Sequence, residues 1–367
     1  MRRSQSGFRK SLIAWSGLTV LFVALLAGVI ALVEYRVFDN RAAVQPAHTL
    51  SVDIRPNFGL PAEMAGWDNV VKGLLSAFDH VDVVALGETH GSKMVHELLL
   101  RLIQAPSFPE KARYIIVEFG NSLYQPILDR YIAGGDVPLS EVRQVWQNTT
   151  VIQTWDSPLY AEFFAAVREV NRKLPAGRRL RLIAGDPPID WNKVHSRYDV
   201  EPFLTRRAFP VSLNGIAVSR GEKVLVIYGS GHLKRPSFPH WTTSNEAPSD
   251  EGGSLLPPSA PKIFKALQAS SSARVFTVTS LAGMDPIEAI LRSPERPVLV
   301  SLIGTRAAKV ENSASLNSKL GDQYDACVYF GNAADATAIV RPSRGSYRDI
   351  SYSTEIARRL RIFETGR

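Results

Sequence analysis

Five short runs of valine, isoleucine and leucine, separated by stretches of helical period, constrain this chain more than any other feature. They are VDVVALG (81–87), YIIVEFG (114–120), RLRLIAG (179–185), KVLVIYG (223–229) and RVFTVTS (274–280); PVLVSLIG (297–304) and ACVYFG (326–331) are candidate edge strands. Helices are predicted over 92–104, 123–132, 138–175 (clearest at 163–174) and 261–269. Runs that are apolar at successive positions, not at every second one, predict strands buried on both faces. The expected fold class is therefore α/β, with a largely parallel central sheet flanked by helices.

In open parallel sheets, ligands gather beyond the carboxyl ends of the strands. The first run there ends in Gly87-Glu88-Thr89-His90-Gly91, the second carries Glu118, the third ends in Gly185-Asp186, and the fourth leads into Gly229-Ser230-Gly231-His232. Each residue also has a plain structural reading. Asp186, placed before Pro187, suits a helix N-cap as well as it suits a ligand. Glu118 follows Ile115-Ile116-Val117 within an apolar strand, where an unpaired carboxylate costs several kcal/mol, so a positional role is favoured. His90 and His232 are ordinary singly, but both sit in strand–Gly–x–x–His settings, which favours a shared function.

Glu88, His90, Glu118 and His232 therefore form the candidate catalytic set, with Asp186 as a further ligand for substrate. Two imidazoles and two carboxylates suit a divalent metal (zinc, manganese or cobalt) with positions left for water. Without metal, His90 serves as a general base whose tautomer is fixed by Glu88 or Glu118. Sharper motifs fail. His96-Glu97 does not continue as H-E-x-x-H, Tyr228–His232 is not a G-x-S-x-G elbow, and neither a dinucleotide nor a phosphate loop is present. His96 is expected on a helix surface, and the tryptophans, Trp146, Trp155 and Trp191 among them, in the core. Asn148-Thr149-Thr150 matches the glycosylation triplet.

The motifs ALGETHG (85–91), IIVEFG (115–120), AGDPPIDW (184–191) and VIYGSGHL (226–233), in this order and spacing, resemble the superfamily of erythromycin esterases, ChaN-type haem-binding lipoproteins and TraB/Tiki proteases. The likeness spans roughly residues 80–305. It implies a parallel α/β core with Glu88, His90, Glu118 and His232 at its centre. Those residues would bind a divalent metal for peptide hydrolysis as in Tiki-like members, or activate water by a His–Glu pair as in the esterases. The esterase motif has one more residue between the Glu and the His than GETHG does. ChaN-like members bind haem instead, for which His90, His232 and Tyr124 are the axial candidates.

The length of 367 residues allows one large domain or two small ones, and the lone Cys327 excludes an internal disulfide or a cysteine-based metal site. Much of the formal charge of +8 comes from Arg2, Arg3, Arg9, Lys10 and Arg36. No basic run is interleaved with aromatics, so a nucleic-acid partner is not expected; the expected substrate is a small molecule or a peptide. Residues 12–33 carry no charge and are long enough for a helix to cross a bilayer. They predict a transmembrane anchor after a basic cytoplasmic tail (1–11), followed by a lead-in (34–66) and an extracytoplasmic α/β domain (67–367). The Pro-, Ser- and Gly-rich connection 236–260 is expected to shape specificity, with Arg235, His240 and Trp241 as substrate-binding candidates. Arg358, Arg359 and Arg361 are expected on a solvated helix face.

Overall fold

A computed structural model describes residues 58–205, 221–235, 263, 267, 273–312, 318–332, 339–340 and 349–365. The chain divides into two compact units, 1–56 and 57–367, and the described residues belong to the second. The single-pass membrane location expected from the sequence is corrected: among the described residues no helix is long and apolar enough to cross a membrane. Residues 12–33, on which that expectation rested, lie outside the described residues, as do His240 and Trp241.

Eight strands form one sheet: β1 (Glu63–Ala65), β2 (Val83–Glu88), β3 (Tyr114–Asn121), β4 (Arg181–Asp186), β5 (Val224–Gly229), β6 (Val275–Leu281), β7 (Val298–Ser301) and β8 (Ala326–Tyr329). Their order is β1-β7-β8-β6-β2-β5-β3-β4. The six strands from β8 to β4 are mutually parallel, and β7 runs antiparallel to both β8 and β1. The largely parallel sheet expected from the apolar runs is thus observed. Strand β1 falls within the expected lead-in; three residues are too few for a periodic signal, and pairing with β7 is what makes them a strand.

Helices α1 (Trp67–Ala77), α2 (Lys93–Gln104), α3 (Phe108–Lys111), α4 (Gln125–Ile132), α5 (Leu139–Gln147), α6 (Pro158–Lys173) and α7 (Arg197–Thr205) lie among the first strands. The short helices α8 (Asp285–Glu288) and α9 (Leu320–Gln323) and the terminal α10 (Ile350–Thr365) follow. The helical stretch expected over 138–175 is broken between α5 and α6. Pro158 starts a new helix at its first position, and Thr150 is bonded to Asp186 instead of to the helix backbone.

The two-residue period of each strand divides the core between the faces of the sheet. Val84, Leu86, Ile115, Val117, Phe119, Leu225 and Ile227 pack into one buried cluster, which α1, α2, α5 and α6 cover. Val83, Ala85, Ile116, Val224, Val226 and Tyr228 point into the other, with Cys327 and Tyr329. Every residue of β2 and of β5 is buried, as expected of central parallel strands, and each large side chain so covered stabilises the fold by about 1.5–3 kcal/mol.

The solvated face expected for the C-terminal arginines is corrected. Arg359 is buried, and it donates to Glu355, to the carbonyl of Gln147 and to the side chain of Asn148, with its guanidinium over the Trp191 ring. Arg358 donates to the carbonyls of Trp191 and Val194. These contacts join α10 to the ends of distant segments, which a local pattern of charges does not reveal. Arg361 is exposed, as expected. Asn148, the first residue of the glycosylation triplet, is engaged by Tyr124 and Arg359, and Thr149 and Thr150 are buried.

Candidate active site

The strand order places β5 between β2 and β3, so the carboxyl ends of these three neighbours lie side by side. Glu88 ends β2, Glu118 lies near the end of β3, and His232 sits in a short turn of 3-10 helix, Ser230–Leu233, directly after β5. His90 follows Glu88 by two residues, and Gly91 turns the chain there with φ of 73° before Ser92 caps α2. The expected catalytic set is therefore gathered by three adjacent strands.

The set is built as two Glu–His pairs. His90 Nδ1 lies 2.8 Å from Glu88 Oε1, and His232 Nε2 lies 3.2 Å from Glu118 Oε1. Both carboxylates are buried, whereas the side chains of His90 and His232 keep 41% and 27% of their exposure. Buried acids thus hold accessible imidazoles. Glu118 Oε2 also accepts the Gly229 amide at 2.7 Å, which satisfies the strand-buried carboxylate that the sequence singled out. Burial pushes the Glu88 carboxyl above its ordinary value, against the hydrogen bond and charge of His90, with the neighbouring Glu118 pushing the same way as burial.

Glu88, His90 and Glu118 each offer a ligand atom within 4.8 Å of the others. Two carboxylates and an imidazole at that spacing suit a hard or borderline divalent ion after small side-chain shifts. His232 stands outside this trio and reaches it through Glu118. For haem, His90 and His232 have partly exposed side chains, whereas Tyr124 is half-buried and its hydroxyl accepts the Asn148 side-chain amide at 3.0 Å.

Close approach at Gly229 is part of the design. A Cβ there would lie 2.8 Å from His90 Cε1 and 3.3 Å from its Nε2. Gly229→Ala is expected to displace the His90 ring and lower activity by about 10- to 100-fold while costing about 1–3 kcal/mol of stability. Parallel kcat and denaturant measurements check both numbers.

Asp186 and Arg235 are held by structural partners. Both carboxylate oxygens of the buried Asp186 accept from Thr150, from its amide and its hydroxyl, each at 2.6 Å. Asp186 therefore ties the α5–α6 connection to β4. Arg235, offered as a substrate ligand, pairs with the fully buried Asp325 at 2.5 Å. Trp146, Trp155 and Trp191 are buried, in line with core packing, although the Trp155 ring also meets the edge of His90 at 4.6 Å.

His96 is buried, contrary to the helix-surface expectation, and its Nε2 lies 3.1 Å from Glu162 of α6. A helix covered by a second helix has no solvated side there. Burial lowers the His96 pKa against the raising effect of Glu162. Below about pH 6.5 the unfolded chain binds a proton that the folded chain resists, so stability falls as pH drops through that value. Urea midpoints are expected to decline between about pH 7.5 and about pH 5.5, and His96→Gln is expected to flatten part of that decline.

Sequence reasoning missed Tyr160, in the first turn of α6. Its hydroxyl accepts the Gly91 amide at 2.9 Å and lies 3.5 Å from Glu88 Oε2; burial holds it protonated. Nothing local marks this tyrosine apart from the other apolar positions of its helix. A cavity of about 10 Å³, room for a single water, lies beside it against Glu88, Ser92 and His96.

A parallel α/β sheet with paired glutamates and histidines at its strand ends defines a class that comparison with known proteins narrows. Residues 74–193 match the family described as haem-binding uptake, Tiki superfamily, ChaN. The match includes Glu88, His90 and Glu118, and it bears out the resemblance read from the motifs. No curated protein matches the sequence. Among solved structures, a Bacillus cereus protein is similar at a TM-score of 0.50 and 10% identity, over 73% of this chain and 92% of that one, which shows a shared fold. A mutant of the erythromycin esterase EreC in its open conformation aligns at 0.49 and 12% over 72% and 93%. ChaN of Campylobacter jejuni with cofacial heme aligns at 0.34 and 11% over 72% and 92%.

Proposed function

We propose that this chain is a hydrolase of ester or peptide bonds, acting on a small molecule or a peptide, with His90 as the base that activates water. The observation that carries this reading is the Glu88–His90 pair at 2.8 Å, a buried carboxylate on Nδ1 of an accessible imidazole. Glu88 favours the Nδ1–H tautomer and leaves Nε2 to accept a proton. As the water oxygen bonds to the carbonyl carbon, its proton passes to His90 Nε2. When the carbon–oxygen or carbon–nitrogen bond breaks, the proton held at His90 Nε2 passes to the leaving group, which returns His90 to its neutral form. His232, held by Glu118 at 3.2 Å, stands beside this pair to orient the substrate. A divalent ion held by Glu88, His90 and Glu118 would supply Lewis acidity and a more acidic water.

The test is hydrolysis of a panel of chromogenic esters and peptide amides by the full chain, beside His90→Ala, with elemental analysis of protein purified without added metal or chelator. Turnover that falls about 10²- to 10⁴-fold in the variant supports the reading. Zinc, manganese or cobalt near one per chain, lost on His90→Ala, assigns the metal route; hydrolysis without metal assigns the His–Glu route. The matched family's description favours a second reading, a haem-binding protein without catalysis. A Soret band on titration with haem, lost on His90→Ala, together with no turnover on the panel, would replace the first reading with the second.

A further inference from the structure

We propose that Tyr160 is a positioning residue of this site, its hydroxyl fixing the Glu88 carboxylate relative to the turn that carries His90. The inference rests on the reading above in taking Glu88 and His90 as the working pair.

The hydroxyl has one assignment that satisfies its neighbours. The Gly91 amide donates to it at 2.9 Å, so one lone pair is committed and the O–H is left to donate. The acceptor in reach is Glu88 Oε2 at 3.5 Å, while Glu88 Oε1 faces His90 Nδ1. Each carboxylate oxygen thus has its own partner. Terminal carboxylate torsions are otherwise broad, so the second partner is what restricts rotation. The ring is equally fixed, 4.8 Å from the Phe119 centroid and 5.0 Å, edge-on, from Trp155, which itself meets His90. The same hydroxyl therefore joins the buried acid to the backbone one residue beyond the imidazole.

The experiment is Tyr160→Phe in the full chain, which keeps the ring and removes one oxygen. With ¹⁵N-labelled histidine at a pH where His90 is neutral, the wild type is expected to show the Nδ1–H tautomer at His90 and the variant a mixture with Nε2–H. kcat is expected to fall about 10- to 100-fold with KM little changed. Phe163→Leu, a cut in the same aromatic cluster away from the hydroxyl, is the control: it lowers Tm and leaves the tautomer alone. A second measurement serves if Tyr160→Phe does not fold. The wild-type Tyr160 hydroxyl proton is expected in slow exchange, with a cross-peak to the Gly91 amide. An unchanged tautomer in a folded variant, or the absence of that cross-peak, overturns the proposal. Neither NMR readout depends on turnover, so a wild type that hydrolyses nothing defeats the functional reading alone.

Discussion

Glu118→Gln is expected to fold and to lose hydrolysis by about 10²- to 10⁴-fold. The buried Glu118 side chain serves two partners at once, the Gly229 amide at 2.7 Å and His232 Nε2 at 3.2 Å. Glutamine keeps an oxygen for the amide, so the end of β5 stays satisfied and Tm moves little. It removes the negative charge and sets an amide donor against His232, which then loses its orientation. Glu118→Ala is the contrasting change. It leaves the Gly229 amide without its acceptor in a buried position, at a cost of about 1–3 kcal/mol, so activity and stability fall together. Activity assays beside denaturant titrations of both variants separate the two effects. A Glu118→Gln protein with wild-type turnover would remove Glu118 from the working set and leave it a strand-end tie.

Asp325→Ala is expected to be among the most destabilising single changes in the described fold. Asp325 is fully buried immediately before β8, where its Oδ2 accepts from Arg235 at 2.5 Å and from the amide and hydroxyl of Thr277 at 2.8 and 3.0 Å. Removing one partner of such a pair strands the other charge, at a cost of about 3–5 kcal/mol, which corresponds to a fall in Tm of roughly 5–15 °C. Arg235→Met strands the carboxylate in turn and is expected to cost a similar amount, though Thr277 still serves Asp325. Thermal melts of both variants and of the double variant check this. The double variant should recover part of the loss, because the charges are then removed together. A stable Arg235→Met protein with a raised KM would support the substrate-binding role read from the sequence.

The two variants probe residues that differed in legibility. Glu118 stood out because an acid inside Ile-Ile-Val is costly unless something holds it, and Gly229 and His232 do hold it. Arg235 was placed by its position beside a long connection, and position in sequence carries no information about Asp325, ninety residues away. Asp186 was equally open to a cap or a ligand, and its partner Thr150 lies in a break between helices that the periodic pattern had run through. His96 and Arg359 were assigned to solvated faces because helical period marks one apolar side and is silent on a second helix covering the other.

What the sequence by itself determined is the set of central strands, their parallel course and the polar residues at their ends. Those follow from short-range chemistry: β-branched runs buried on both faces, closed by glycine and followed by acids and imidazoles. The tertiary structure alone decided which strands are neighbours, and hence that Glu118 of β3 meets His232 just after the adjacent β5, while Glu88 meets His90 two residues further along its own chain segment. It also brought Tyr160, from a helix far along the chain, to the Gly91 turn. Hydrogen bonds act over about 3 Å whatever the distance along the chain, so partners of this kind are set by packing and leave no local mark.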